Sequence, residues 1–161
     1  NIDNEEKWSF LYLRGICYER INNWQLAEDD FIHSLEINSE SPQVLNYLAY
    51  GWIERNIFLD RSLEMLKKAY EKNSDSHYIL DSLAWAYFKK EDFEIASKLM
   101  EEVTIMAPGE AISLDHLGDI YFAMGREREA IYMWKQANDL AEPEDNIIGG
   151  IKKKLEMYDA G

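Results

Sequence analysis

The sequence predicts an all-α fold: a right-handed α-solenoid of four helix pairs closed by a C-terminal capping helix. Three observations carry this expectation. No alternating apolar run bounded by Asn-Gly or Asp-Gly turns is present, so strand signals are weak. Apolar and small residues recur at three- and four-residue steps, as in Leu11, Gly15, Tyr18 and Ile21. That stripe is then copied at a fixed distance: Gly15, Ala49, Ala84 and Gly118 are 34, 35 and 34 residues apart. A period near 34 with two helical stripes per period describes a stack of helix–turn–helix units.

The first copy spans about 8–41. Asn4 before Glu5 and Glu6 reads as a helix start. Residues 1–7 lack an apolar stripe and should cap or fray rather than form a helix pair. Asn22 and Asn23 precede the second helix, whose stripe is Ala27, Phe31 and Ser34. The second copy, 42–76, opens on Pro42, which a first helical turn tolerates. It carries Leu45, Leu48, Ala49 and Trp52, then Ser62, Leu66 and Ala69, with one extra residue in its turn near 56–59. The third copy, 77–110, has Leu80, Leu83, Ala84 and Tyr87, an N-cap at Asp92, then Ala96, Met100 and Val103. The fourth, 111–144, has Leu114, Leu117, Gly118 and Tyr121, a turn at Gly125, then Ala130, Trp134 and Ala137. A last helix over 143–158 starts at Pro143 and aligns Ile147, Ile151, Leu155 and Tyr158. Lys152, Lys153 and Lys154 fall mostly off that stripe, near a helix end where cations suit the dipole. Gly149 and Gly150 weaken this helix by about 1 kcal/mol each against Ala, and permit close packing or a kink. The whole chain, 1–161, reads as one domain.

The small residues at 15, 49, 84 and 118 let the first helix of each pair touch the second. The large residues at the Tyr/Trp and Phe/Leu/Met/Trp positions fill the layers between repeats. One repeat cannot bury its own apolar face, so neighbours supply the core. Trp134 should fill the layer between the fourth pair and the capping helix.

Composition narrows the function. The chain has 161 residues, 47% hydrophobic and 30% charged, with 8 Gly and 3 Pro, which excludes a disordered tail or a Pro/Gly linker. Seventeen basic residues face 31 acidic ones, a net charge of −14. Such a chain repels phosphate backbones and anionic lipid heads, so neither nucleic acid nor membrane insertion is expected. No apolar run approaches the roughly 18 residues of a membrane span. The chain opens on Asn1 without a signal-like segment and reads as a fragment or processed product. Cys17, the single cysteine, lies between Gly15 and Tyr18 and is expected to be buried and structural.

The copies resemble the tetratricopeptide repeat (TPR) family, whose pattern is Leu-Gly-x-x-Tyr, then Ala-x-x-x-Phe, then Pro. Leu83-Ala84-x-x-Tyr87, Ala96-x-x-x-Met100 and Pro108 follow it, as do Leu117-Gly118-x-x-Tyr121 and Ala130-x-x-x-Trp134. The first copy departs from it with Arg14 for Leu and Ser39 for Pro. The resemblance covers about 8–144 and implies a protein-binding solenoid whose first helices line a concave groove. By that resemblance the exposed positions are Tyr12, Ile16, Glu19 and Arg20; Asn46, Tyr50, Ile53 and Glu54; Tyr78, Asp81, Trp85, Phe88 and Lys89; and Ile112, Asp115, Asp119 and Phe122. Tyr12, Tyr50, Trp85, Phe88 and Phe122 then form an aromatic strip, with the alternative that some rings pack between repeats. Asp81, Asp115 and Asp119 would draw basic residues of a partner. Chaperone-binding members of the family grip a carboxylate with Lys, Arg and Asn. Here Tyr12, Ile16, Tyr47, Tyr50, Tyr78 and Ser82 stand instead, which argues against such a clamp. The runs Leu80–Trp85 and Leu114–Asp119 are similar to bacterial TPR proteins, often exported or lipid-anchored, which implies a cell-envelope, periplasmic or cytoplasmic setting.

Enzyme signatures are missing: there is no phosphate loop, no cysteine pair and no HExxH run. His33 and His77 have no partnering motif. Asp81, Asp115, His116 and Asp119 offer oxygen ligands for a hard cation, though carboxylates in a helical row are more often solvated. The expected function is a scaffold or adaptor, with no cofactor and no catalysis. It would hold a protein segment with apolar anchors and basic residues. A homo-oligomerisation module is the first alternative, and a metal-binding or enzymatic domain the second.

Overall fold

The computed structural model describes residues 3–158. Residues 1 and 2 of the expected N-terminal cap lie outside the described residues. Among the described residues the chain is all-α, with helices α1 (Asn4–Arg20), α2 (Trp24–Ile37), α3 (Pro42–Glu54), α4 (Leu59–Lys72), α5 (His77–Lys89), α6 (Phe93–Met106), α7 (Ala111–Ala123), α8 (Glu127–Leu140) and α9 (Ile148–Tyr158). None of these is long and apolar enough to cross a membrane. The chain forms two compact units, Asn1–Ser82 and Leu83–Gly161, and their division falls inside α5.

Local chemistry sets the helix ends. The Asn23 side chain accepts from the Leu26 N–H at 3.4 Å, and Asp92 from Ile95 at 3.5 Å, each satisfying a donor that the first turn leaves open. Pro42 occupies the first turn of α3 behind a Ser41 cap. Each turn inside a pair contains a left-handed residue: Asn22, Asn56, Glu91 or Gly125. Asn and Gly tolerate that conformation, whereas Glu91 holds it at a steric cost. Residues 55–58 join α3 to α4, while residues 21–23, 90–92 and 124–126 serve the other pairs. The extra residue of the second copy is therefore in this turn, and Phe58 takes a second left-handed conformation there.

In the first unit, α1 packs on α2, α2 on α3 and α3 on α4. Ala27, Phe31, Val44, Leu48 and Trp52 form its main core, with Trp8, Tyr12, Ile16, Trp24 and Tyr47 packed around them. A Cβ on Gly15 would come within 2.6 Å of the Phe31 ring, so this close crossing requires glycine. Leu45, Ala69 and Ile79 form a second cluster. In the second unit α6 packs on α7, α7 on α8 and α8 on α9. Gly118 admits the Trp134 indole as Gly15 admits Phe31, since a Cβ would collide with it.

Two expectations are corrected. Cys17 is exposed rather than buried. It lies on the side of α1 with Phe10, Leu13 and Ile21, all exposed, where the later copies place the buried Gly51, Ala86 and Ile120. The last helix starts at Ile148 rather than Pro143. Pro143–Asp145 form a 3₁₀ turn in which Glu142 and Asp145 cap each other, and left-handed Asn146 ends it. Ile151 is the buried anchor of α9. No atom lies within 4 Å of a Cβ built on Gly149 or Gly150, so neither glycine serves close packing.

Candidate functional site

The first helix of each pair carries the residues singled out from sequence, and the two units present them differently. In the first unit, Tyr12 of α1 meets Tyr47 of α3 edge-on, ring centroids 5.5 Å apart, with Phe31 behind both. Burial, and then the neighbouring Tyr47, push the Tyr12 hydroxyl up to about 12. Tyr12 and Tyr50 are half-buried. Ile53 and Asp81 are corrections, because their place in the repeat predicts the open face for both. Instead Ile53 is at 0% exposure and Asp81 at 7%.

In the second unit, Trp85 is also a correction, at 6% exposure. Its indole is sandwiched, stacked on Phe88 at 4.5 Å and on His116 at 4.0 Å. Phe88 is half-buried and tilts against Phe93 at 5.7 Å. Trp85 thus supports Phe88 rather than offering a surface of its own. His116 is buried by the same stack.

Asp115, Asp119 and Phe122 follow one another along α7 at i, i+4 and i+7, one face of a helix. Lys154 of α9 donates to Asp115 Oδ1 at 2.8 Å and to Asp119 Oδ1 at 2.6 Å. Asp119 Oδ1 also accepts the Trp134 indole N–H at 3.0 Å. The lysine ammonium lies 5.5 Å from the centre of the Trp134 ring. One turn beyond Lys154, Tyr158 packs on Phe122, ring centroids 4.4 Å apart. Burial pushes the Asp115 carboxyl up, and the Lys154 hydrogen bond pulls against it. Burial would lower the Lys154 ammonium, but Asp119 and Asp115 outweigh it and the net direction is up. One ammonium shared by two carboxylates stays charged. The ammonium also takes the seat that a cation between these carboxylates would need, and no group of His, Cys, Asp and Glu among the described residues is arranged to hold a metal.

Lys154 falls mostly off the packed stripe of its helix, and the sequence pattern gives no sign of this contact. A lysine stem lies along apolar surface while its head reaches a distant charge, which periodicity does not register. Arg14 and Asp30 are a second pair that the periodicity does not register. Arg14 makes a bidentate contact, 2.7 Å to each Asp30 oxygen, and Asp30 is buried. Arg14 standing where the repeat pattern has Leu was the available signal.

No family model matches the chain. The BBSome complex member BBS4 of Mus musculus is 26% identical over 87 residues, 53% of this chain. The match spans only 16% of that relative's length. Among solved structures, MamA of strain AMB-1 superposes with a TM-score of 0.66 at 21% identity, covering 87% of this chain and 80% of that one. A thermophilic TPR protein in Thermus thermophilus gives 0.62 at 14% identity, over 92% of this chain and 99% of that one. The first TPR domain of the human RPAP3 protein gives 0.66 at 16% identity, over 76% and 95%. The chain has the tetratricopeptide-repeat fold. In TPR terms α1, α3, α5 and α7 are the first helices of four repeats, and α9 follows the last.

Proposed function

We propose that this TPR chain is a protein-interaction scaffold without chemistry of its own, binding partner segments on the first helices of its repeats. The observation that carries this reading is the α7 face. It seats an ammonium between two carboxylates and a ring against Phe122, the two features that recognise a basic and aromatic protein segment. Tyr12 and Tyr50 in the first unit, and Phe88 in the second, supply further part-open rings. Ile53, Asp81 and Trp85 belong behind such surfaces, as support. Peptides selected from a random displayed library against the full chain should be enriched in aromatic and basic residues. Phe122→Ala should weaken them about thirtyfold, the scale of an aromatic hot spot near 2 kcal/mol, while the chain stays helical by circular dichroism. A selection that converges on no sequence, or binding that survives both Phe122→Ala and Tyr12→Ala, sinks the reading.

Self-association is the second reading, and one observation favours it. Phe10, Leu13 and Ile21 stand 55%, 59% and 70% exposed along α1. A mass that doubles with concentration, and returns to monomer in Leu13→Asp, would support it.

A further inference from the structure

We propose that α9 is a built-in competitor for the α7 face, and that the partner it competes with is a helix carrying a lysine four residues before an aromatic ring. The inference rests on the scaffold reading and names the partner and the regulation of the same face. Lys154 and Tyr158 are one helical turn apart, so a single helix delivers the cation to Asp115 and Asp119 and the ring to Phe122 together. Any helix with that spacing satisfies the same three side chains.

Three features make α9 displaceable. It is held to the core by one fully buried side chain, Ile151. It opens with Gly149 and Gly150, which pack against nothing and only lower its helicity. It is tethered by the segment 141–147, whose 3₁₀ turn and left-handed Asn146 break it from α8. Tyr158, its outermost contact, is 44% exposed. When α9 leaves, Trp134 keeps its hydrogen bond to Asp119 and its ring contact with Phe122, while the two carboxylates lose the Lys154 ammonium, Phe122 loses the Tyr158 ring, and the three become the binding surface. A ligand for a face that is only fractionally open binds more weakly by that fraction.

The test uses the full chain and a synthetic peptide of residues 147–158 as the probe. Lys154→Gln combined with Tyr158→Ala keeps Ile151 and opens the face. This variant should bind the peptide at least about tenfold more tightly than the wild-type chain, and Phe122→Ala should abolish the gain. A peptide with the same two substitutions should not bind. As a variant that touches none of the contacts, Gly149→Ala with Gly150→Ala strengthens α9 as a helix and should weaken probe binding several-fold below wild type. Equal affinity for the wild-type and opened chains overturns the proposal. So does an opened, folded chain that binds no peptide, because α9 is then a fixed part of the core. Library-selected ligands that bind both chains equally and still need Phe122 would leave the scaffold reading standing while ending this one. Ligands selected by neither chain would end the scaffold reading itself.

Discussion

In the α1–α2 pair the Phe31 ring lies on Gly15, and in the α7–α8 pair the Trp134 indole lies on Gly118. The two crossings follow one plan, yet their surroundings differ. The second gains a lysine and a tyrosine from α9, set against the tryptophan and its carboxylate neighbour. The first keeps Phe10, Leu13 and Ile21 in solvent along α1. At the repeat position where the other copies have Leu48, Leu83 and Leu117, the first copy has Arg14. Opposite them, Met65, Leu99 and Met133 correspond to Asp30. The first pair therefore holds an ion pair where its sisters place apolar side chains. A repeat is not stable by its own plan alone. What covers it, and whether its inner contacts are charged or apolar, sets how much it contributes.

The largest effect that bears on this comparison is removal of the crossing rings. Trp134→Ala and Phe31→Ala should each cost about 3–5 kcal/mol as large-to-small changes at fully buried sites. Because Trp134 also supports α9, its loss should expose residues 148–158 to hydrogen exchange as well, whereas Phe31→Ala should leave them protected. Equal exchange in both variants would show that α9 does not depend on the indole beneath it.

Next in size is the charged pair. Arg14→Leu leaves the buried Asp30 carboxylate without its guanidinium, and should cost about 1–3 kcal/mol in denaturant unfolding. Arg14→Leu combined with Asp30→Met restores the pattern of the other copies and should be neutral or stabilising. A double variant as unstable as the single one would show that the first pair needs its charges for packing, and the cycle reads the coupling directly.

The smallest effect is alkaline. Tyr12 and Tyr121, one in each compared pair, both have hydroxyls pushed up to about 12. Burial is the first cause in each; the next is Tyr47 for Tyr12 and the hydrogen bond to Glu101, 2.8 Å, for Tyr121. A folded value above the usual 10 means the contribution to stability is intact below pH 10 and is lost as pH rises toward 12. Tyr121→Phe should therefore flatten the stability loss across that window and cost about 1 kcal/mol at neutral pH. An ultraviolet titration in which the Tyr121→Phe variant keeps the same late-titrating amplitude as wild type would place the raised group elsewhere.

Much of the fold was legible because repeats leave their period in the chain. The glycines at 15 and 118, the caps at Asn23 and Asp92 and the extra turn residue near 56–59 are local or periodic signals, and the structure shows each in place. The candidate surface was less legible. Periodicity says which side of a helix a residue is on, but burial also depends on what the next elements bring. Trp85 is covered because His116 and Phe88 stack on it, and Cys17 is bare where the equivalent positions of later repeats are buried.

By itself the sequence determined the helix pairs, their length and the small-on-large crossings, because spacing and steric size are properties of residues in order. Only the tertiary structure decided the charges. Lys154 lies 39 residues from Asp115 and 35 from Asp119, and Arg14 lies 16 from Asp30. The separation of 35 equals one repeat spacing, yet the period does not encode whether these charged side chains meet. They come together because packed helices bring their side chains within reach, and a long flexible cation then finds the carboxylate that burial has deprived of water.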